Sequence, residues 1–282
     1  MISFGNMKKK NLVSVIITAK NEDAVIGNLL KSILKQTYKY IEIILIDNNS
    51  DDKTLSIAGK FRKVKIYQQG PERSAQRNFG AKKATGDFLF FLDADMELTP
   101  KVIEDCVEKI NQEKAEGMVV PEQSKWTNFW GEVKAYERSF YSEKGDPITD
   151  AARFFSKKIF NKVDGYDETI TGPEDWDLPD RIREAGYKIG RSIEKIYHHE
   201  QEIFLATLFK KKFYYGLNAH KYLSKHDIPI FSPKTIYFLR PLFYKNWTRL
   251  VKHPILALAM VCMLMVELIG GGLGYVVGRA RR

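Results

Sequence analysis

Phe88-Leu89-Phe90-Phe91-Leu92-Asp93-Ala94-Asp95 decides the reading of this chain. The run from Phe88 to Leu92 is apolar throughout and is bounded by turn-forming residues, the pattern of a strand buried on both faces. Carboxylates placed where such a strand ends stand at the carboxyl edge of the sheet, where open α/β sheets bind ligands. Asp93 and Asp95, one residue apart, suit a hard divalent cation. Mg²⁺ is usually held by one or two carboxylates plus substrate phosphates, so the pattern points to a grip on a nucleotide diphosphate through a metal. Alone the spacing is weak evidence, because Asp175-Trp176-Asp177 repeats it.

Working outward, residues 12–18, 41–47, 63–67 and 87–93 read as short β-branched strands, with helical spacing over 23–35, 52–61 and 73–84. That alternation implies βαβ units and a parallel sheet. Ser50-Asp51-Asp52 reads as a helix cap, and Thr99-Pro100 as a helix start with Pro at the first position. Further on, the pattern predicts strands near 116–120, 150–156 and 193–197 and helices near 126–142 and 174–186.

The chain has 282 residues, 44% of them hydrophobic, enough for one large α/β domain with an appendage. Cys106 and Cys262 offer no disulfide framework and no metal-ligand spacing, which fits a reducing, cytoplasmic face. Lys8, Lys9 and Lys10 precede an apolar stretch too short for an export signal. The net charge of +10 invites nucleic acid or an anionic membrane. The basic residues are densest beside the apolar tail rather than on any nucleic-acid motif, so the expectation is no nucleic acid.

Three segments emerge: 1–200 as a catalytic domain, 201–253 as a basic, aromatic, helical interface segment, and 254–282 as a hydrophobic membrane helix or re-entrant segment. Ile255 to Gly278 is apolar apart from Glu267. Its 24 residues make a helix of about 36 Å, against roughly 30 Å of bilayer hydrocarbon. Gly270, Gly274 and Gly278 recur every four residues, a close-packing helix surface. Glu267 argues against a simple lipid-facing span, since a mid-membrane charge costs about 2.5–3.5 kcal/mol and needs a partner, water or an interfacial depth. Lys245, Arg249 and Lys252 before the run, and Arg279, Arg281 and Arg282 after it, leave the orientation open. The aromatic, basic stretch ahead of it has the composition of a segment lying on anionic lipid.

Four further segments bear on chemistry. Thr18-Ala19-Lys20-Asn21-Glu22 follows the first strand, where a carboxylate can accept ribose hydroxyls or simply cap a helix. Asp47-Asn48-Asn49-Ser50 follows the second, where Asp can accept a base N–H or form a turn. Arg77, in Glu72-Arg73-Ser74-Ala75-Gln76-Arg77-Asn78-Phe79-Gly80, can bridge phosphate oxygens with its fork or be a surface arginine. Gly172-Pro173-Glu174-Asp175-Trp176-Asp177 opens a helix, whose dipole favours an ionised carboxylate of the kind a general base must be.

Together and in this order, the segments resemble family-2 glycosyltransferases over about residues 11–200. The resemblance implies the GT-A (nucleotide-diphospho-sugar transferase) fold, an α/β architecture with a mostly parallel central sheet flanked by helices, and an inverting, typically metal-dependent reaction. Thr18, Ala19, Asn21 and Glu22 match the first nucleotide-binding segment. Asp47 and Asn49 match the second, with Asn48 and Asn49 where Asp and Gly are commoner. Arg77 and Asn78 match the segment before the acidic strand. Asp93-Ala94-Asp95 matches the metal motif, and Glu174-Asp175 the catalytic pair, with Pro173 a departure just before it. Carried over by position, Asp47 and Glu22 hold base and ribose, Asp93 contacts ribose or metal, Asp95 holds Mn²⁺ or Mg²⁺, and Asp175 deprotonates the acceptor.

The expected partners are therefore a nucleotide sugar (a UDP-sugar before a GDP-sugar), a glycan or lipid-linked acceptor in cell-envelope or glycan synthesis, and membrane lipid. The expected placement is on a membrane with the catalytic domain facing the cytoplasm. A polyprenyl-phosphate sugar synthase and a non-catalytic nucleotide-sugar-binding scaffold are the rival readings. His198 or His199 is a candidate further ligand, only one of which can face the site from a strand.

Overall fold

The computed structural model describes residues 10–142, 145, 146, 148, 150–200 and 202–281. Lys8, Lys9 and Arg282 lie outside the described residues. The chain runs β1 (Val13–Ala19), α1 (Ile26–Leu34), β2 (Ile41–Asp47), α2 (Thr54–Ala58), β3 (Val64–Gln68), α3 (Arg73–Lys83), β4 (Phe88–Asp93), β5 (Met96–Leu98) and α4 (Val102–Gln112). Next come β6 (Gly117–Val119), β7 (Glu122–Lys125), α5 (Phe129–Ser142), β8 (Ala152–Ser156), α6 (Lys157–Lys162), α7 (Glu174–Glu184), β9 (Ile189–Arg191) and β10 (Ile196–His199). A helical tail follows: α8 (Leu205–Lys225), α9 (Pro241–Lys245), α10 (Trp247–Lys252) and α11 (Pro254–Ala280).

The main sheet has the order β3-β2-β1-β4-β8-β6-β9. The strands β3, β2, β1 and β4 are parallel, and only β8 is antiparallel to its neighbours β4 and β6. The α/β fold with a mostly parallel sheet is as the sequence implies. Every residue of β1 is buried, because alternate side chains enter different cores. Val13, Val15 and Ile17 join Leu29, Ile33 and Ile103 under α1 and α4, while Ile16 joins Ala81, Phe160, Leu178 and Ile182 on the other face. A second sheet, β5-β10-β7, lies beyond the end of β4. One start differs from expectation: α4 begins at Val102, not at Thr99-Pro100. The carbonyls of Thr99 and Pro100 are drawn to the segment after α1, accepting from Gln36 Nε2 at 2.8 Å and Thr37 N at 2.9 Å.

The tail does not stand apart. A third core joins Val133, Tyr136 and Phe140 of α5 with Leu208, Phe243, Met260, Met263 and Leu264. Glu267, 3% exposed, meets Lys134 at 3.0 Å and Lys212 at 3.3 Å, so the lone charge of the apolar run has two partners on α5 and α8. The opposite face of α11 is open, with Leu258 73%, Ile269 50% and Val276 63% exposed. This helix is the one candidate among the described residues that is long and apolar enough to cross a membrane.

Glycines set how closely α8 and α11 approach. A Cβ on Gly274 would lie 2.1 Å from the Phe213 carbonyl oxygen, whereas one on Gly272 would meet nothing within 4 Å. Opposite effects are expected from the same chemical change. Gly274→Ala should destabilise the protein by about 1–3 kcal/mol through overpacking. Gly272→Ala should stabilise it by up to about 1 kcal/mol through helix propensity. Denaturant unfolding of the two variants measures both.

Candidate active site

Parallel register brings three strand ends to one edge: Thr18 pairs with Asp93, and Ala19 with Asp47. The helix before β4 is pressed onto this sheet at Gly80, where a Cβ would come 2.5 Å from Ile16 Cγ2. One turn earlier on the same helix, Arg77 is carried beneath the end of β4. Its Nη2 donates to Asp93 Oδ1 at 3.0 Å and its Nη1 to Asp175 Oδ1 at 2.6 Å. The two carboxylates come from the last two motifs of the set, 82 residues apart in the chain.

A cleft of about 870 Å³ opens at this edge. Thr18, Ala19, Glu22, Asp93, Ala94, Asp95 and Asp175 line it, as expected for a shared site. Burial would raise the Asp93 carboxyl, but the guanidinium groups of Arg77, Arg153 and Arg73 hold it well below the usual range. Asp95 is placed differently. Its Oδ2 meets His198 Nε2 at 3.0 Å, while its Oδ1 is buried without a hydrogen-bond partner. Glu22 is pushed up to about 7 by burial and by the negative charges of Asp95, Asp93 and Asp52. An orphaned carboxylate oxygen beside carboxylates that repel one another is a place for added positive charge. Among the described residues no group of three or more His, Cys, Asp or Glu side chains is set to hold a metal alone. A nucleotide-bound cation needs only one or two carboxylates, the rest being phosphate oxygens and water. The residues present therefore fit Mn²⁺ or Mg²⁺.

His198 lies on β10, which pairs antiparallel with β5 directly after the acidic motif. Burial lowers its pKa, but hydrogen bonds to Asp95 and Glu122 outweigh this and raise it to about 10. His199 points the other way and meets Glu97 at 2.8 Å, as strand alternation requires.

Several expected contacts are not found at the cleft. Arg77 is 0% exposed and its two terminal nitrogens are taken by Asp93 and Asp175, so it is a bridge between carboxylates rather than a phosphate ligand. Arg73, one turn earlier, lines the cleft instead. Glu174 is 2% exposed and faces Arg73 at 3.6 Å from behind, so Asp175 alone of the pair reaches the cleft. Burial, with the Asp175 charge beside it, raises Glu174 above the usual carboxylate range. Asp47 is fully buried and accepts from the backbone N–H of Ser50 at 2.8 Å and from its hydroxyl at 2.5 Å. Asn21 and Asn49 take the left-handed backbone conformation, with φ of 56° and 51°. The Asp47 carboxylate is thus taken up by the turn, none of the three lines the cleft, and the neighbouring Asn48 does.

Asp177 is not a second metal ligand either. It is fully buried, held by Arg181 at 2.8 Å and by Lys225 and His226 of the tail, each at 2.9 Å. Asp180, one turn on, receives Tyr222 Oη at 2.8 Å and Lys234 Nζ at 2.6 Å. The tail thus straps down the helix that presents Asp175. Arg153, which meets Glu122 at 2.6 Å and Asp93 at 3.4 Å, was missed from sequence. Its signal was a lone arginine inside the apolar strand Ala152-Arg153-Phe154-Phe155.

A parallel sheet whose carboxyl edge presents acidic side chains to a nucleotide-sized cleft is the architecture of a GT-A-type transferase. The chain belongs to glycosyl transferase family 2, whose sequence model matches residues 14–162. Similar proteins include a GalNAc(5)-diNAcBac-PP-undecaprenol beta-1,3-glucosyltransferase of Campylobacter jejuni, 34% identical over 36% of this chain and 35% of that one. An uncharacterized glycosyltransferase of Haemophilus influenzae is 39% identical over 30% of this chain and 36% of its own length. These matches span about a third of each relative. In fold, the chain is similar to mannosyltransferase PcManGT from Pyrobaculum calidifontis, solved with GDP-Man and Mn²⁺ (TM-score 0.61, 16% identity, 97% of this chain and 76% of that one). It is also similar to S. aureus TarS 1-349, solved with UDP-GlcNAc (TM-score 0.56, 18% identity, 96% and 91%).

Replacing Arg77 by Met leaves two carboxylates without their shared cation, and should cost about 3–5 kcal/mol in denaturant unfolding. Glu22 gives a pH signature. Its folded pKa of about 7 exceeds the ordinary 4.5, so between these values the folded state keeps a proton that the unfolded state has released. Stability from this group therefore falls as pH rises through that window. Measured in chelator, the gain in Tm from Glu22→Gln should grow from pH 4.5 to about 7.

Proposed function

We propose that this protein is a membrane-associated, inverting glycosyltransferase that moves a sugar from a nucleotide sugar, a UDP-sugar before a GDP-sugar, to a hydroxyl of a lipid-linked acceptor. The observation that carries the reading is the pairing, in one cleft, of an Asp95 oxygen left free for a cation with an Asp175 carboxylate held by Arg77. The family, the lipid-diphosphate substrates in the names of relatives, and the Mn²⁺ and nucleotide sugars in the titles of fold neighbours support it. The open apolar face of α11 supports seating on a membrane, and two cysteines without a disulfide framework fit a cleft on the cytoplasmic side.

Asp95 and Asp93 would hold Mn²⁺ or Mg²⁺ on the donor diphosphate, where the cation supplies stabilisation of the negative charge left on the departing nucleotide. Thr18, Ala19, Glu22 and Asn48 line the part of the cleft that would receive the nucleoside. Arg73, half-exposed in the cleft wall, is placed to meet phosphate oxygens. Arg77 fixes Asp175 through Oδ1 and leaves Oδ2 to take the proton from the acceptor hydroxyl. Attack from the face opposite the leaving diphosphate inverts the anomeric carbon in one displacement.

Nucleoside diphosphate release from a panel of nucleotide sugars, with detergent-extracted lipids as acceptors, tests this reading. Release should require Mn²⁺ or Mg²⁺ and should vanish with chelator and in Asp95→Ala. Release that survives both treatments would sink the metal role. Asp175→Asn should lower kcat about 10²–10⁴-fold, the usual scale for a lost general base. A mild loss would instead favour a phosphate acceptor, already ionised, and hence a polyprenyl-phosphate sugar synthase.

A further inference from the structure

The cleft does not end at the catalytic carboxylates. It continues into a chamber walled by α5, β9, α8, the segment 237–240 and the inner face of α11. Most of the charges there are matched. Lys134 meets Glu137 at 3.1 Å and Glu267 at 3.0 Å, Arg138 meets Glu200, and Arg191 meets Asp150 at 2.9 Å. Arg240 is the exception. It is 2% exposed and lines the chamber, yet it forms no ion pair among the described residues. Its Nε donates to the Pro233 carbonyl at 3.2 Å, its guanidinium stacks 3.9 Å from the centre of the Tyr237 ring, and its Nη2 is buried with no hydrogen-bond partner. A buried guanidinium without a carboxylate is costly unless an anion is to arrive. Lys211 on α8 lines the same chamber from an exposed position, without an ion pair among the described residues, its ammonium 5.9 Å from the centre of the Tyr215 ring and its charge helping to hold Glu200 below the usual carboxylate range. Ile203, Phe204 and Leu208 line the cleft beside it, Phe204 being 54% exposed.

We propose that Arg240 and Lys211 form a subsite for the phosphate group of a lipid-linked acceptor, separate from the donor diphosphate site at Asp95. A planar guanidinium presents two parallel N–H groups to phosphate oxygens, and Lys adds a point charge. The apolar side chains beside the cleft fit a prenyl chain rather than a second nucleotide. This inference rests on the transferase reading above for its acceptor, but not for its test.

The test is direct binding of farnesyl diphosphate, farnesol and inorganic pyrophosphate to the full chain in detergent, by titration calorimetry, with chelator and without donor. Farnesyl diphosphate should bind, pyrophosphate more weakly, and farnesol not measurably. Arg240→Gln and Lys211→Gln should each weaken farnesyl diphosphate binding, Arg240→Gln by about 10- to 100-fold, the worth of a charge-assisted hydrogen bond. Arg240→Lys should restore part of the loss. Lys211 is exposed, so its variant reports on the subsite even if the Arg240 variants do not fold. Equal binding by wild type, Arg240→Gln and Lys211→Gln would overturn the proposal, as would farnesol binding as tightly as its diphosphate. Pyrophosphate binding as tightly as farnesyl diphosphate would overturn the lipid assignment. Because no donor or metal is present, a failed release assay with intact, Arg240-dependent binding would remove the transferase reading and keep the subsite.

Discussion

One buried guanidinium organises the active end of this molecule. Arg77 neutralises Asp93 from the metal motif and Asp175 from the helix that carries the proposed base. Without it, two carboxylates at the mouth of a largely buried cleft would repel each other and lose water at the same time. With it, their separation is fixed from below, and the surface facing substrate is free of that compromise. The close seat of α3 on β1 at Gly80 is what delivers the arginine to this point.

The same logic runs through the tail. Glu267, a liability in an isolated apolar helix, is drawn inward by Lys134 and Lys212, so α11 is anchored to α5 and α8 by charge as well as by the glycine contact. The end of α8 then reaches α7 through Lys225 and His226 on Asp177 and Tyr222 on Asp180. The apolar helix and the helix that carries Asp175 are thus two ends of one bonded structure.

Strands β1, β2 and β4 were legible because each is an apolar run long enough to bury both faces, and β3 by its β-branched residues alone, since none of its side chains is fully buried. The short strands β5, β7 and β9 were not, because three or four residues carry too little pattern and owe their form to pairing with neighbours. The acidic motif was legible by position alone. What Arg77 does was not, since its partners lie 16 and 98 residues away and nothing local distinguishes a bridging arginine from a phosphate ligand. Asp47 shows the converse: an Asp there suits a turn as well as a ligand, and the structure sets its carboxylate on Ser50, while Asn21 and Asn49 stand outside the cleft. Arg240 had no sequence signal, because an unpaired buried charge is visible only once every neighbour is placed.

The bonded path from α11 through α8 to α7 contains no flexible tether. An enzyme hung from a loose linker samples a range of heights above the surface that holds it. Here, with the outer face of α11 resting in lipid, the cleft would sit at one height and one tilt. On the lipid-linked-acceptor reading proposed above, reach would then become a selection rule, set by the anchor as well as by contacts in the cleft.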